Sequence, residues 1–308
     1  MNKQIVTPPK IGIDLGGTNI KAGIVSDGRI IYKDSRPNLL DWSFERTVDE
    51  IASLVKSLAD KANVKISECK SIGIGSPGLI DTAKGEVVYS NNIRWKNAPL
   101  ATELGKRLGV LVKLHNDAKA AALGEAVYGA GKDYKTVALL TLGTGVGGGL
   151  IRDGKIEETQ AAAGALFGHI TIDYNGRLCT CGRRGCLEAY ASATALTADA
   201  KAAMGIANLD GKAVFDAYRQ GDQKAKEVVS NYIKYLGEGI VSIINICCPD
   251  AIILGGGLSA AGGILTESLK EYIKDKVFGA ELIKTDIVVS RLGNDAGIIG
   301  AALLPSQF

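Results

Sequence analysis

Two stretches of the chain repeat one pattern, and that repeat limits the possible folds more than any other feature. IGIDLGGTNIKAGIVSDGRI (residues 11–30) and LLTLGTGVGGGLIRDGKI (residues 139–156) each carry Gly-Thr, then eight residues, then Asp-Gly, a basic residue and Ile. Gly17-Thr18 and Asp27-Gly28-Arg29-Ile30 align with Gly143-Thr144 and Asp153-Gly154-Lys155-Ile156. Each copy reads as an apolar strand, a glycine turn, a second strand, an Asp-Gly hairpin and a third strand. Two copies imply two related α/β halves, predicted to face each other across a cleft of the kind where ligands bind. Helical spacing follows each copy, at residues 44–62, 189–204 and 225–246, while SIGIG (71–75) and AIILGGG (251–257) read as buried strands ending at glycines.

At 308 residues, 46% hydrophobic and 22% charged, the chain has the size and composition of a folded two-domain protein. The net charge is only +3, with no run of five or six Lys/Arg, so nucleic acid is not an expected partner. The start, MNKQIVTPPK, has no apolar signal core, and the longest apolar tract is interrupted by Pro249 and Asp250. A cytoplasmic protein without a membrane partner is expected.

A phosphate met by backbone N–H groups needs residues without Cβ and turns that reach φ > 0. Asp14-Leu15-Gly16-Gly17-Thr18 offers such a turn with a hydroxyl and a carboxylate suited to hydrated Mg²⁺. The turn from Leu142 to Gly149 offers the same without the carboxylate. Neither is a Walker A loop or a dinucleotide fingerprint. Either alone reads first as a tight hairpin; the matched pair points to a nucleotide. Gly255-Gly256-Gly257 reads as a strand-to-helix turn or as bare backbone for a flat ring such as adenine. Asp117, after the strand LVKLHN and before an Ala-rich helix, reads as an N-cap or as the base that takes a hydroxyl proton in phosphoryl transfer.

His169, Cys179, Cys181 and Cys186 fall within eighteen residues. A disulfide framework is not expected in a cytosolic chain, and C-x-C-x₄-C with an upstream His reads as a Cys₃His set for tetrahedral Zn²⁺, with a redox thiol as the alternative. With every position filled by protein, such a metal is structural. Cys69, Cys247 and Cys248 read as buried small residues.

CTCGRRGCLE carries C-x-C-G-x-x-G-C-x-E, and the chain is identified by it as a member of the ROK family of sugar kinases and sugar-responsive repressors. DLGGTN, GSPG, NNIRW, HNDAKAAALGE, LGTGVGGG, FGH and ILGGG occur in family order over nearly the whole length. The resemblance implies a two-domain, actin-like (ribonuclease H-like) ATPase fold, divided at 1–118 and 119–295, with a C-terminal helix (296–308) completing the first domain. It implies an ATP- and Mg²⁺-dependent kinase acting on a hexose hydroxyl, usually C6, and commonly a homodimer. Asp117 matches the family's catalytic base. Gly78, Asn92, Asn116, His169 and Glu188 match positions at the sugar, His169 also facing zinc, and Asp14, Gly16, Gly17, Thr18, Thr144, Gly145 and Gly256 match the nucleotide side.

The repressor branch carries a helix-turn-helix segment ahead of DLGGT, which the thirteen residues before Asp14 are too few to hold, so a kinase is expected. A non-catalytic sugar sensor of the same fold is the alternative, and polyphosphate the alternative donor. One departure stands out. Family kinases read E-x-G-H at the histidine, whereas this chain reads Leu166-Phe167-Gly168-His169, and a shift by one brings Ala165 to the place of the Glu. A related sugar or cyclic polyol is therefore expected to suit the pocket better than glucose, unless Glu158 or Gln160 supplies the missing acceptor.

Overall fold

The two copies of the repeat adopt one backbone plan. In the computed structural model, which describes residues 9–69, 71–157 and 164–307, β1 (Lys10–Leu15) and β2 (Asn19–Ser26) form an antiparallel pair around the first glycine turn. β3 (Arg29–Pro37) follows through Asp27-Gly28, both at positive φ (47° and 71°) as a type I′ hairpin requires. Next come α1 (Phe44–Ala62), β4 (Ser71–Ser76), a small antiparallel sheet of β5 (Leu79–Asp81), β6 (Glu86–Ser90) and β7 (Trp95–Ala98), then α2 (Leu100–Leu108), β8 (Leu111–Asn116) and α3 (Asp117–Tyr128). The main sheet runs β3-β2-β1-β4-β8, antiparallel through β1 and parallel beyond it. Ser43 caps α1 by accepting from the Arg46 N–H, and Val48, Ile51, Val55 and Leu58 form the buried stripe that covers the sheet.

The second copy gives β9 (Thr136–Leu142), β10 (Val146–Arg152) and β11 (Lys155–Ile156), with Asp153 and Gly154 at φ 49° and 71°. After α4 (Glu188–Ala191), α5 (Ala193–Met204), α6 (Gly211–Arg219) and α7 (Gln223–Cys247) come β12 (Ala251–Gly255), α8 (Gly263–Ile273), β13 (Asp286–Val289) and α9 (Ala296–Leu303). The sheet order β11-β10-β9-β12-β13 reproduces the first sheet strand for strand.

Contacts group the chain into two compact units. Unit 1 is 1–132, 151–164 and 294–308; unit 2 is 133–150 and 165–293. The first boundary lies beyond the expected 118 because α3 packs on α9, with Gly124 and Gly300 letting the backbones touch. The return of 151–164 to unit 1 was not anticipated from the sequence.

One predicted helix is broken. Residues 189–204 split at Ser192, which is extended (φ −76°, ψ 161°), accepts from the Ala195 N–H at 3.1 Å and starts α5, while the Ala193 N–H donates to the Gly143 carbonyl at 2.7 Å. A tertiary bond to the second glycine turn outweighs the local helical preference of this Ala-rich run. Among the described residues no helix is long and apolar enough to cross a membrane.

Candidate active site

In unit 1, β8 runs into α3 at Asn116-Asp117, and the two residues divide the work there. Asn116 is the N-cap: its Oδ1 accepts from the N–H groups of Ala118 (3.0 Å) and Lys119 (3.2 Å). Its Nδ2 donates to the Gly78 carbonyl at 3.2 Å. Gly78 sits at φ 113°, and a Cβ there would press on Ser90 and the Tyr89 carbonyl. Asp117 is thus the first helical residue and not the cap, its Oδ1 accepting from the Ala118 N–H at 2.8 Å. Burial, and then the nearby Asp14 carboxylate, push its carboxyl up to about 6.

Asp14, next to the last residue of β1, is half-buried, with Lys21 donating to its Oδ2 at 3.3 Å. Lys21 was not singled out from the sequence, although an antiparallel hairpin centred on the turn sets residue 21 opposite residue 14. The turn is pinned by buried Asn38, which the sequence reading missed. The Asn38 N–H donates to the Thr18 carbonyl and its Nδ2 to the Gly16 carbonyl, both at 2.8 Å. A Cβ on Gly17 would lie 3.3 Å from the Asn92 carbonyl oxygen, so Asn92 lies over the turn. Thr18 is exposed.

In unit 2 the second glycine turn joins β9 to β10. The Gly143 N–H donates to the Gly145 carbonyl at 3.0 Å, and Thr194 Oγ1 donates to the Thr144 carbonyl at 2.8 Å. Glu188 Oε2 accepts from the Val146 N–H at 3.0 Å, and Oε1 accepts from Thr180 Oγ1 at 3.0 Å. A Cβ on Gly145 would overlap Oε2. Gly16, Gly17, Gly143 and Gly145 are all absent from the left-handed region, which corrects the expectation of φ > 0 in these turns. At Gly16, Gly17 and Gly145, glycine supplies clearance instead. Gly256 does have positive φ (78°), but a Cβ there would meet the Leu142 backbone, so its bare face is turned inward; neighbouring Gly257 is the one that opens to free space.

The four metal candidates converge. Their ligand atoms lie within 4.8 Å of one another, with Cys179 Sγ 3.8 Å from His169 Nδ1 and Cys181 Sγ 3.6 Å from Cys186 Sγ. Zn–S bonds of about 2.3 Å at tetrahedral angles imply S···S edges of ~3.8 Å, so the set fits Zn²⁺. The loop is built for it. Cys179 N–H donates to the Arg183 carbonyl at 2.8 Å, Gly182 N–H to the Cys179 carbonyl at 3.0 Å, and Thr171 bridges to Cys186. Tyr190 Oη holds the outer arm, accepting from the Arg177 N–H at 2.7 Å and donating to Asp173 at 3.0 Å.

Phe167, Gly168 and His169 form a single 3₁₀ turn against β10, where a Cβ on Gly168 would strike the Val146 carbonyl. Leu166 is 53% exposed. Glu158 and Gln160 lie outside the described residues. For Mg²⁺, the half-buried Asp14 carboxylate and the exposed Thr18 hydroxyl are oxygen donors of the type a hydrated cation takes.

Comparison with known proteins agrees with this geometry. The ROK family model matches residues 10–307. The glucokinase of Thermotoga maritima is 40% identical over 307 residues, covering 95% of each chain. The N-acetyl-D-glucosamine kinase of Shigella boydii is 32% identical, covering 95% of this chain and 98% of its own. A crystal structure of a ROK family glucokinase from Streptomyces griseus in complex with glucose and AMPPNP superposes with a TM-score of 0.85 at 33% identity, covering 97% of this chain and all of that one. A repeated strand–turn–strand plan in two units and a Cys₃His cluster beside the second turn thus have relatives along the full length, and the chain belongs to the ROK family.

Proposed function

We propose that the chain is an ATP-dependent kinase that transfers the γ-phosphoryl group to a hydroxyl of a hexose or a related sugar or cyclic polyol, at C6 or its equivalent, with Asp117 as general base. The observation that carries the base assignment is the division between Asn116 and Asp117. Because Asn116 is the N-cap of α3, Asp117 keeps only a share of the Ala118 amide, through Oδ1, and its carboxyl, raised to about 6, is ionised at neutral pH yet more basic than an exposed aspartate. It accepts the proton of the attacking hydroxyl as the phosphorus–oxygen bond forms.

Within unit 1, Asp14, Gly16, Gly17 and Thr18 serve the nucleotide, with Asp14 the residue that would hold hydrated Mg²⁺. Bound there, the cation would neutralise phosphate charge. Within unit 2, Thr144, Gly145 and Gly256 carry the nucleotide assignment. Gly78, Asn92, Asn116, His169 and Glu188 are the sugar-side residues. His169, Cys179, Cys181 and Cys186 would hold Zn²⁺, which fixes the imidazole tautomer; Nδ1 is the ring nitrogen on the cysteine side, leaving Nε2 for a sugar hydroxyl. A cytoplasmic homodimer completes the reading.

The test is phosphoryl transfer from ATP, and separately from polyphosphate, across glucose, mannose, N-acetylated hexosamines, deoxy sugars and inositols. Saturable turnover with ATP supports the kinase. Sugar binding without turnover from either donor would make the chain a sensor.

A further inference from the structure

The second glycine turn is held by groups far from it in sequence, and they come from one short stretch that starts at the metal cluster. Cys186 is a candidate ligand; two residues later Glu188 binds the Val146 N–H, and Ala193 and Thr194 bind the carbonyls of Gly143 and Thr144. Thr180, which donates to the other oxygen of Glu188, stands between the candidate ligands Cys179 and Cys181. The Glu188 carboxylate therefore has one oxygen on the turn and the other on the cluster. Gly145 is where it lies: the glycine's φ is ordinary, so any L-residue could adopt that backbone, but a Cβ would overlap Oε2.

We propose that Glu188 is a strut fixing the second glycine turn to the metal cluster, with Thr180 as its positioning residue, so that occupancy of the cluster sets nucleotide affinity. Gly145 is then a glycine to admit the carboxylate, not to admit a phosphate. The link to affinity rests on the assignment of this turn to the nucleotide. The chain of causes is short. A bound metal fixes Cys179 and Cys181, and these fix the Thr180 hydroxyl. That hydroxyl orients Oε1 of Glu188, and Oε2 then sets the direction of the Val146 N–H and the shape of the turn. Oε1 also lies 3.7 Å from Cys179 Sγ, while Oε2 keeps a lone pair beyond the Val146 N–H, so a sugar contact by the same side chain falls to Oε2.

A double-mutant cycle tests this on the full zinc-loaded chain, read as the dissociation constant of a non-hydrolysable ATP analogue by calorimetry, with zinc content measured for every variant. Gly145→Ala is expected to weaken binding on the order of tenfold by pushing the carboxylate off the Val146 N–H, and Glu188→Ala to weaken it similarly. The double variant should bind no worse than Glu188→Ala alone, because the added methyl then meets empty space. If Gly145→Ala costs as much without Glu188 as with it, the phosphate needs that space and the strut is wrong. Thr180→Val, similar in shape but lacking the donor, should weaken the analogue several-fold with zinc retained, and Thr180→Ser should recover it; unchanged binding in Thr180→Val also overturns the proposal.

Failure of the wild-type chain to bind the analogue at all would refute the nucleotide assignment instead. The strut is then read by hydrogen exchange. In Thr180→Val and in chelator-stripped protein the Val146 amide should exchange faster, while the β12 amides stay protected. Equal protection of Val146 in all forms would sink the strut irrespective of nucleotide.

Discussion

The two glycine turns share a backbone plan and differ in what holds them. The first is steadied from nearby, by Asn38 just past β3, and carries its own acid, Asp14, paired to Lys21 across the hairpin. The second has no acid of its own and takes one from Glu188, more than forty residues on, together with the start of α5. A duplicated strand–turn–strand fixes where a turn sits, while its side-chain partners are free to diverge. Unit 1 thereby concentrates ionisable groups, Asp14 and Asp117, whereas unit 2 concentrates ligands for a metal.

If that contrast is right, damage to unit 1 should strike turnover and damage to unit 2 should strike order. Asp117→Asn is expected to show the largest effect, lowering kcat by about 10²–10⁴-fold with nucleotide binding nearly unchanged. The same variant should be more thermostable than wild type at pH 8. The folded-state carboxyl is raised above its ordinary 3.8, so the ionised form is penalised in the fold. That penalty sets in as pH rises past the unfolded value and is complete above about 6, so the gain in Tm should vanish below pH 4. Near-normal turnover in Asp117→Asn would remove the base from unit 1.

Cys186→Ser is the matching blow to unit 2. Elemental analysis of wild-type protein purified without added metal should find one zinc per chain and find none in the variant. Turnover should fall roughly ten- to a hundredfold as His169 loses its orientation, and limited proteolysis should open residues 167–188 while β1 to β4 stay resistant. A zinc-free wild type would end the metal assignment.

Next in size is Leu166→Glu, which supplies a carboxylate acceptor where the resemblance expects one. A sugar hydroxyl facing Leu166 without a partner costs about 1–3 kcal/mol, so kcat/KM for glucose should rise on the order of tenfold or more. If wild type already prefers glucose by a wide margin over the rest of the panel, Leu166 does not mark a changed specificity. A smaller effect is expected of Asp14→Asn on Asp117 itself. Removing a like charge should lower the Asp117 midpoint from about 6, as seen by carboxyl NMR titration of nucleotide-free protein. Smallest is Ser192→Ala, which removes the cap of α5 and should cost about 1 kcal/mol in denaturant unfolding.

Much of the architecture was legible because it is written in local terms. The Gly-Thr and Asp-Gly spacing foretells both hairpins, and α1 begins and ends at Phe44 and Ala62 as its periodicity predicts. The cysteine spacing likewise foretells the cluster. What escaped notice depends on partners distant in sequence. Ala189 to Met204 reads as one helix because nothing local reveals that Ala193 N–H bonds to Gly143. Asp117 looks like a cap as much as Asn116 does until Asn116 is seen taking the Lys119 amide and sharing that of Ala118. Gly145 reads as a phosphate glycine because the carboxylate that fills its missing side chain lies 43 residues away.

The division of unit 1 into segments on either side of unit 2 bears on how the chain is made. Synthesis delivers β1, β4, β8 and α3 early, but Gly12 and Gly73 on the sheet and Gly124 on α3 receive the backbone of α9, which emerges only after all of unit 2. Most of unit 2, by contrast, is continuous from 165 to 293 and has its own core around α7 and β12. On a ribosome the earlier-made unit is therefore the later one to finish. Until α9 docks, the sheet around Gly12 and Gly73 lacks its cover and is open to non-native pairing, so a chain truncated before residue 294 should be a better chaperone client than the 308-residue chain.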